Sequence, residues 1–159
     1  MKAATVVSYG GTEVLTVCDV SMPRPGPDEA LVAVVASTVN PVDVKFREPG
    51  TSQVISQFPA SLGWDLAGVV VTAPVGSGWV PGDRVIAVYP PQADGAGCLQ
   101  RHTALPAGML APAPDSLDLS TAARPPLSAL TAAQPLFKPH LHPGATLLVL
   151  HPSSVCHRW

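Results

Sequence analysis

The chain of 159 residues is short of charge: Asp, Glu, Lys and Arg make up 13% of it, and the formal net charge is -2. So small an imbalance offers no basic field to a nucleic acid and no cationic face to a membrane surface, and neither is an expected partner. Long apolar runs are lacking too. Ala67 to Val71 and Leu147 to Leu150 fall far below the roughly 20 residues that a membrane-crossing helix needs. Met1 to Tyr9 carry one lysine and no long apolar stretch of a secretory signal, which makes the cytoplasm the expected location. Cysteine is sparse: Cys18, Cys98 and Cys156 are odd in number and far apart, which argues for reduced thiols and against a disulfide framework.

What the chain does have is apolar content, 47% of its residues, enough to bury a real core. It also has 19 prolines. Many sit at breaks, among them Pro23, Pro25, Pro27, Pro90, Pro91, Pro112 and Pro114. Proline fixes its own φ and cannot donate to a sheet ladder, so this usage predicts short strands joined by stiff turns.

Lys2 to Tyr9, the Gly10-Gly11 pair and Val14 to Val20 predict a strand, a turn and a returning strand. Glu29 to Ser37 is a Val- and Ala-rich strand that delivers the chain to Asn40. Asn40 followed by Pro41 starts a helix, with Val42, Lys45 and Phe46 at helical spacing until Pro49-Gly50. Leu66 to Thr72 reads as a buried strand, and Pro81 to Arg84 is a tight turn feeding Val85 to Tyr89. Leu99 to Leu105 adds one more strand. Beyond Ala111 the texture turns helical: Ser120 caps a first turn, and Pro125-Pro126 opens a helix from Leu127 to Phe137, kinked by Pro135 and ended by Pro139. Thr146 to Leu150 reads as the first buried strand of a parallel sheet. The expected class is therefore mainly β with an α extension, divided at residues 1–119 and 120–159.

Two polar corners stand out, Asn40 to Asp43 and Trp64-Asp65, each beside a segment of regular structure. Groups held by rigid elements but reached through loops are well placed to line a cleft. Each also has a structural reading. Asn40 can simply cap its helix, Trp64 can be core, Asp65 can close a turn or pair with a base such as Arg84, and Thr131 can bond back to a helical carbonyl. Cys98 with His102, His140 with His142, and Cys156 with His157 lack the spacing of a metal site.

Five segments in order, Asn40-Pro-Val-Asp-Val-Lys, Leu62-Gly-Trp-Asp-Leu-Ala-Gly-Val-Val, Pro81-Gly-Asp-Arg-Val, Leu110-Ala-Pro-Ala-Pro-Asp and Leu127-Ser-Ala-Leu-Thr-Ala-Ala-Gln-Pro-Leu-Phe, resemble the medium-chain dehydrogenase/reductase superfamily. The resemblance is to its zinc-independent quinone and enoyl reductase branch, including fungal enoyl-reductase-like members. It implies a GroES-like β-barrel, followed by helices and the first strand of an incomplete Rossmann domain. It further implies NADPH as hydride donor and a small enone, enoyl or quinone as acceptor. Asn40 would lie near the nicotinamide and the acceptor as a catalytic residue with Trp64, Phe46 and Trp64 would shape the acceptor pocket, and Thr131 would border the nicotinamide. Zinc-dependent relatives carry cysteine and histidine where this chain has Asn40 and Trp64, and an indole cannot coordinate zinc.

The family's glycine-rich pyrophosphate turn has no counterpart in His151-Pro-Ser-Ser-Val-Cys-His-Arg-Trp159, which contains no glycine. The resemblance therefore predicts a truncated product that binds no NADPH by itself and is catalytically inactive. A non-catalytic binding or assembly module is the alternative, as is a gene product without function. A homo- or hetero-dimer stays open.

Overall fold

The computed structural model describes residues 1–50, 55–92, 94–137, 144 and 146. The expected strand from Thr146 to Leu150 lies, after its first residue, outside them, as do Pro139, the His140–His142 pair and the segment from His151 to Trp159.

β1 (Lys2–Val6) and β2 (Leu15–Asp19) form the expected hairpin, antiparallel and in register from Lys2 opposite Asp19 to Val6 opposite Leu15. After a proline-rich loop, β3 (Glu29–Ala36) leads to α1 (Pro41–Arg47). Four further strands precede the helical end: β4 (Ala60–Ser61), β5 (Asp65–Thr72), β6 (Arg84–Val88) and β7 (His102–Pro106). β8 (Leu110–Pro112), which the sequence pattern does not reveal, closes the strand set. The chain then enters α2 (Leu119–Ala122) and α3 (Pro126–Phe137).

The strands make two sheets, β2-β1-β4 and β7-β3-β5-β6-β8, with every pairing antiparallel. A bridge between Ala3 and Gln100, with the Ala4 N–H donating to the Leu99 carbonyl at 2.8 Å, joins them into one curled wall. β5 lies between β3 and β6, and its first four residues are buried on both faces, which is why Leu66-Ala-Gly-Val-Val reads as a continuous apolar run. Gly68 is needed there. A Cβ at that position would run into the Ala33 carbonyl of β3.

Val32, Leu66, Val70, Val85 and Leu105, none more than 2% exposed, make the main core. Each such side chain contributes about 1.5–3 kcal/mol on leaving water. Val6, Ile55, Ala60 and Leu62 form a second cluster under the small sheet, with Phe46 and Leu99 packed against it. α2 approaches β5 closely because the contact is built from alanines, Ala67, Ala113, Ala122 and Ala123.

The helical end departs from expectation at the cap of its first helix. α2 is capped by Asp118, not Ser120: Asp118 Oδ1 accepts from the Thr121 N–H at 2.9 Å, since a carboxylate one residue before the first helical turn reaches its free donors. Pro135 lies inside α3, which continues through it to Phe137. No residue of α3 is buried, and its Leu130 and Phe137 are exposed.

Candidate functional site

α1 begins where β3 has just left the sheet. Asp43, at the third helical position, accepts the Asn40 backbone N–H on Oδ2 at 2.7 Å, and Pro41 supplies the first helical φ. The other oxygen of Asp43 accepts the Gly63 N–H at 2.8 Å. One buried carboxylate thus stitches the helix start to the turn before β5. Gly63 has a φ of 94°, in the left-handed region, and its Cβ would sit 2.8 Å from the Leu99 side chain, so glycine is required for this approach.

Asp65, the first residue of β5, is fully buried. Its Oδ2 accepts from the Thr38 hydroxyl at 2.6 Å and from Asn40 Nδ2 at 2.8 Å. Its Oδ1 accepts the Leu127 N–H at 2.7 Å, and its carbonyl accepts the Ser37 hydroxyl at 2.6 Å. The side chain thus ties β5 to the segment that leads into α1 and to the start of α3. No base takes part: Arg84, a candidate partner by sequence, instead donates to the Leu117 carbonyl. Burial raises the pKa of both Asp43 and Asp65. Hydrogen-bond donors pull each back, the Asn40 and Gly63 N–H groups for Asp43, and the Thr38 hydroxyl, the Asn40 amide and the Leu127 N–H for Asp65, while the charge of Asp65 raises Asp43 further.

Asn40 Nδ2 also donates to Thr38 Oγ1 at 3.1 Å, so both of its amide hydrogens are committed. Phe46, on the last turn of α1, meets the Trp64 ring edge to face, with centroids 5.2 Å apart and planes at 90°. The Trp64 indole Nε1 is buried without a hydrogen-bond partner among the described residues. The two ends of α1 therefore rest on the consecutive residues Trp64 and Asp65. Thr131 is exposed on α3, one turn beyond Leu127, and its hydroxyl makes no hydrogen bond to this group.

Sequence reasoning singled out Asn40, Phe46, Trp64 and Thr131 but passed over Thr38 and underrated Asp43 and Asp65. The usable signal was chemical: two aspartates, each with apolar residues on both sides, must find N–H or O–H donors if buried.

A dinucleotide's pyrophosphate is received by a glycine turn between a strand and a helix N-terminus. Among the described residues the first turns of α1, α2 and α3 are taken by the chain's own carboxylates, Asp43, Asp118 and Asp65, and none follows such a turn. They do not make that site.

The family model of the alcohol dehydrogenase GroES-like domain matches residues 26–115. The chain is 36% identical, over 95% of its length, to an NADPH-dependent alkenal/one oxidoreductase, chloroplastic, of Arabidopsis thaliana, of which it covers 41%. It is 39% identical, over 69% of its length, to a trans-enoyl reductase of Aspergillus flavipes, of which it covers 33%. The solved structure of a quinone oxidoreductase from Pseudomonas syringae pv. Tomato DC3000 superposes with a TM-score of 0.79 at 29% identity, covering 90% of this chain and 43% of that one. The chain thus spans between a third and about two fifths of the length of these relatives.

Proposed function

The chain belongs to the family of alcohol dehydrogenase GroES-like domains, and from that premise we propose that it forms the acceptor-side part of an NADPH-dependent, zinc-independent reductase of enals, enones or quinones. The observation that carries this reading is the seating of α1 on Trp64 and Asp65, which gathers Asn40, Phe46 and Trp64 around one helix. The names of its relatives, an alkenal/one oxidoreductase, a trans-enoyl reductase and a quinone oxidoreductase, supply the acceptor class.

In this reading the residues divide their work by what the hydrogen bonds leave free. Asn40 has spent both amide hydrogens, so it shapes the site and holds the α1 start in place, with Asp65 as its support. Trp64 keeps an unspent N–H in a dry setting. A buried donor without a partner costs about 1–3 kcal/mol, and an acceptor carbonyl seated against the Phe46–Trp64 pair would relieve that cost while being polarised. Thr131 borders the opposite, nicotinamide side from α3. The domain boundary near residue 119 separates this acceptor body from the connecting helices. The described helix starts are already filled by aspartates, which supports the reading that these residues by themselves neither hold NADPH nor turn over.

Two titrations test this. An enone such as 2-cyclohexenone should move the Trp64 indole ¹H–¹⁵N resonance downfield and saturably, with Trp64→Phe assigning the signal; an unmoved resonance sinks the acceptor-side assignment. NADPH fluorescence should show no saturable enhancement with this chain, and tight binding would overturn the second part alone.

A further inference from the structure

β2 is an edge of the small sheet, with β1 on one side and no strand on the other among the described residues. The ladder fixes where its backbone groups point. Met1 and Val20 exchange both of their bonds, at 2.7 and 2.8 Å, and the Val7 N–H donates to the Val14 carbonyl at 3.1 Å. Bonded and unbonded pairs alternate in an antiparallel ladder, so Thr16 and Cys18, opposite Thr5 and Ala3, turn their N–H and C=O groups toward β1. Leu15, Val17 and Asp19 turn theirs away. The Thr12 carbonyl takes the Leu15 N–H, which leaves the Leu15 carbonyl and both backbone groups of Val17 and Asp19 open on the free side.

An open edge is a template for another strand, and proteins ordinarily blunt it. The other edges here are blunted: β4 has two residues, β8 has three and ends in Pro112, and β7 ends in Pro106. β2 is not. Its five residues run in unbroken register without proline or lysine, and Leu15 and Val17 are 46% and 68% exposed. The one charge on the edge, Asp19, is already neutralised by Lys2 at 2.7 Å.

We propose that β2 pairs antiparallel with β2 of a second copy of this chain, about a two-fold axis at Val17. The inference does not depend on the reductase reading. A second copy fits because this edge is its own complement. The register sets Val17 opposite Val17, Leu15 opposite Asp19 and Thr16 opposite Cys18. The valines exchange two backbone bonds, and each Asp19 N–H meets the Leu15 carbonyl of the other copy. Apolar side chains face each other on the axis, no like charges stand opposite, and the contact closes as a dimer.

Sedimentation equilibrium between about 10 µM and about 1 mM, the range suited to so small a contact, should take the apparent mass from one chain to two and stop there. Val17→Pro removes an N–H that faces away from β1, so the hairpin keeps its own bonds while association weakens by about tenfold or more. Val17→Lys, which leaves the backbone intact and sets two cations on the axis, should have the same effect. Val75→Lys, at a fully exposed turn, should have none. In a Cys156→Ser background, Thr16→Cys should give a covalent dimer with Cys18 of the second copy under diamide. Within one chain those positions lie roughly 7 Å apart along the strand, too far to bridge. A chain that stays monomeric, growth past the dimer, a dimer that both Val17 variants leave intact, or a Thr16→Cys chain that does not cross-link would each overturn the proposal.

Discussion

The backbone N–H of Leu127 donates to Asp65 Oδ1 at 2.7 Å across 62 positions of sequence, so the start of α3 is set by the first residue of β5. The same carboxylate fixes Thr38 and Asn40 through its other oxygen. The geometry of the candidate site thus depends on one acid that is itself out of reach of solvent.

Asp65→Ala leaves the Thr38 hydroxyl, the Asn40 amide and the Leu127 N–H without their acceptor. The expected loss is about 3 kcal/mol, taking one to three per stranded donor and allowing some rehydration. Asp65→Asn retains one acceptor oxygen and should lose less. Urea midpoints measure both, and an alanine variant as stable as the parent would show that the acid holds nothing together.

Asp43 and Asp65 both have raised pKa values, with burial as the main cause. In the unfolded chain each titrates near about 3.9. The folded state therefore binds more protons in the window above that value. Their contribution to stability is full below about pH 4 and is lost as pH rises through the folded pKa values. Asp43→Asn cannot titrate, so the stability of the parent minus that of the variant should fall between pH 4 and pH 7. Denaturant melts at several pH values would show it, and a difference that grows with pH would contradict the assignment.

Trp64→Phe keeps an aromatic ring against Phe46 and removes the orphaned N–H. Stability should stay level or rise by up to about 1 kcal/mol, because a lost ring contact worth a fraction of that is offset by relief of a buried unpaired donor. Affinity for an enone should drop at the same time. Thermal melting beside an enone titration checks the pair, and a variant that binds as well as the parent would remove Trp64 from the site.

Gly97→Ala should be among the most damaging single changes available. A Cβ there would collide with the carbonyls of Ser61 and Leu62, which are backbone and cannot swing aside. Overpacking of this kind costs about 1–3 kcal/mol or more. Gly108→Ala, where a Cβ meets open space, is the control and should be neutral; soluble yield and melting temperature separate the two.

Much of this molecule was legible in its sequence because the strands carry local signals: the Gly10-Gly11 turn, the apolar run of β5, the Pro-Gly-Asp turn before β6. Asn40-Pro41 announced α1 for the same reason. β8 escaped, since Leu110–Pro112 is three residues long with a proline at its end and holds its place through β6. The partners of Asp65 escaped for a different cause. They come from 25 to 62 positions away, and no local pattern states which donors a fold will bring to a buried acid. Asn40 and Trp64 stand out in the sequence as two separate corners, but that Asn40 is seated on Asp65, with its amide hydrogens already spent, is a fact of three-dimensional pairing.

The span from Asp65 to Leu127 also has a kinetic meaning. Closing so long a loop costs chain entropy, and prior pairing of β5, β6 and β8 would shorten the loop that this bond has to close. The α3 junction is accordingly expected to be drawn shut late in folding, an order that φ-values of Leu127 and Asp65 variants would test.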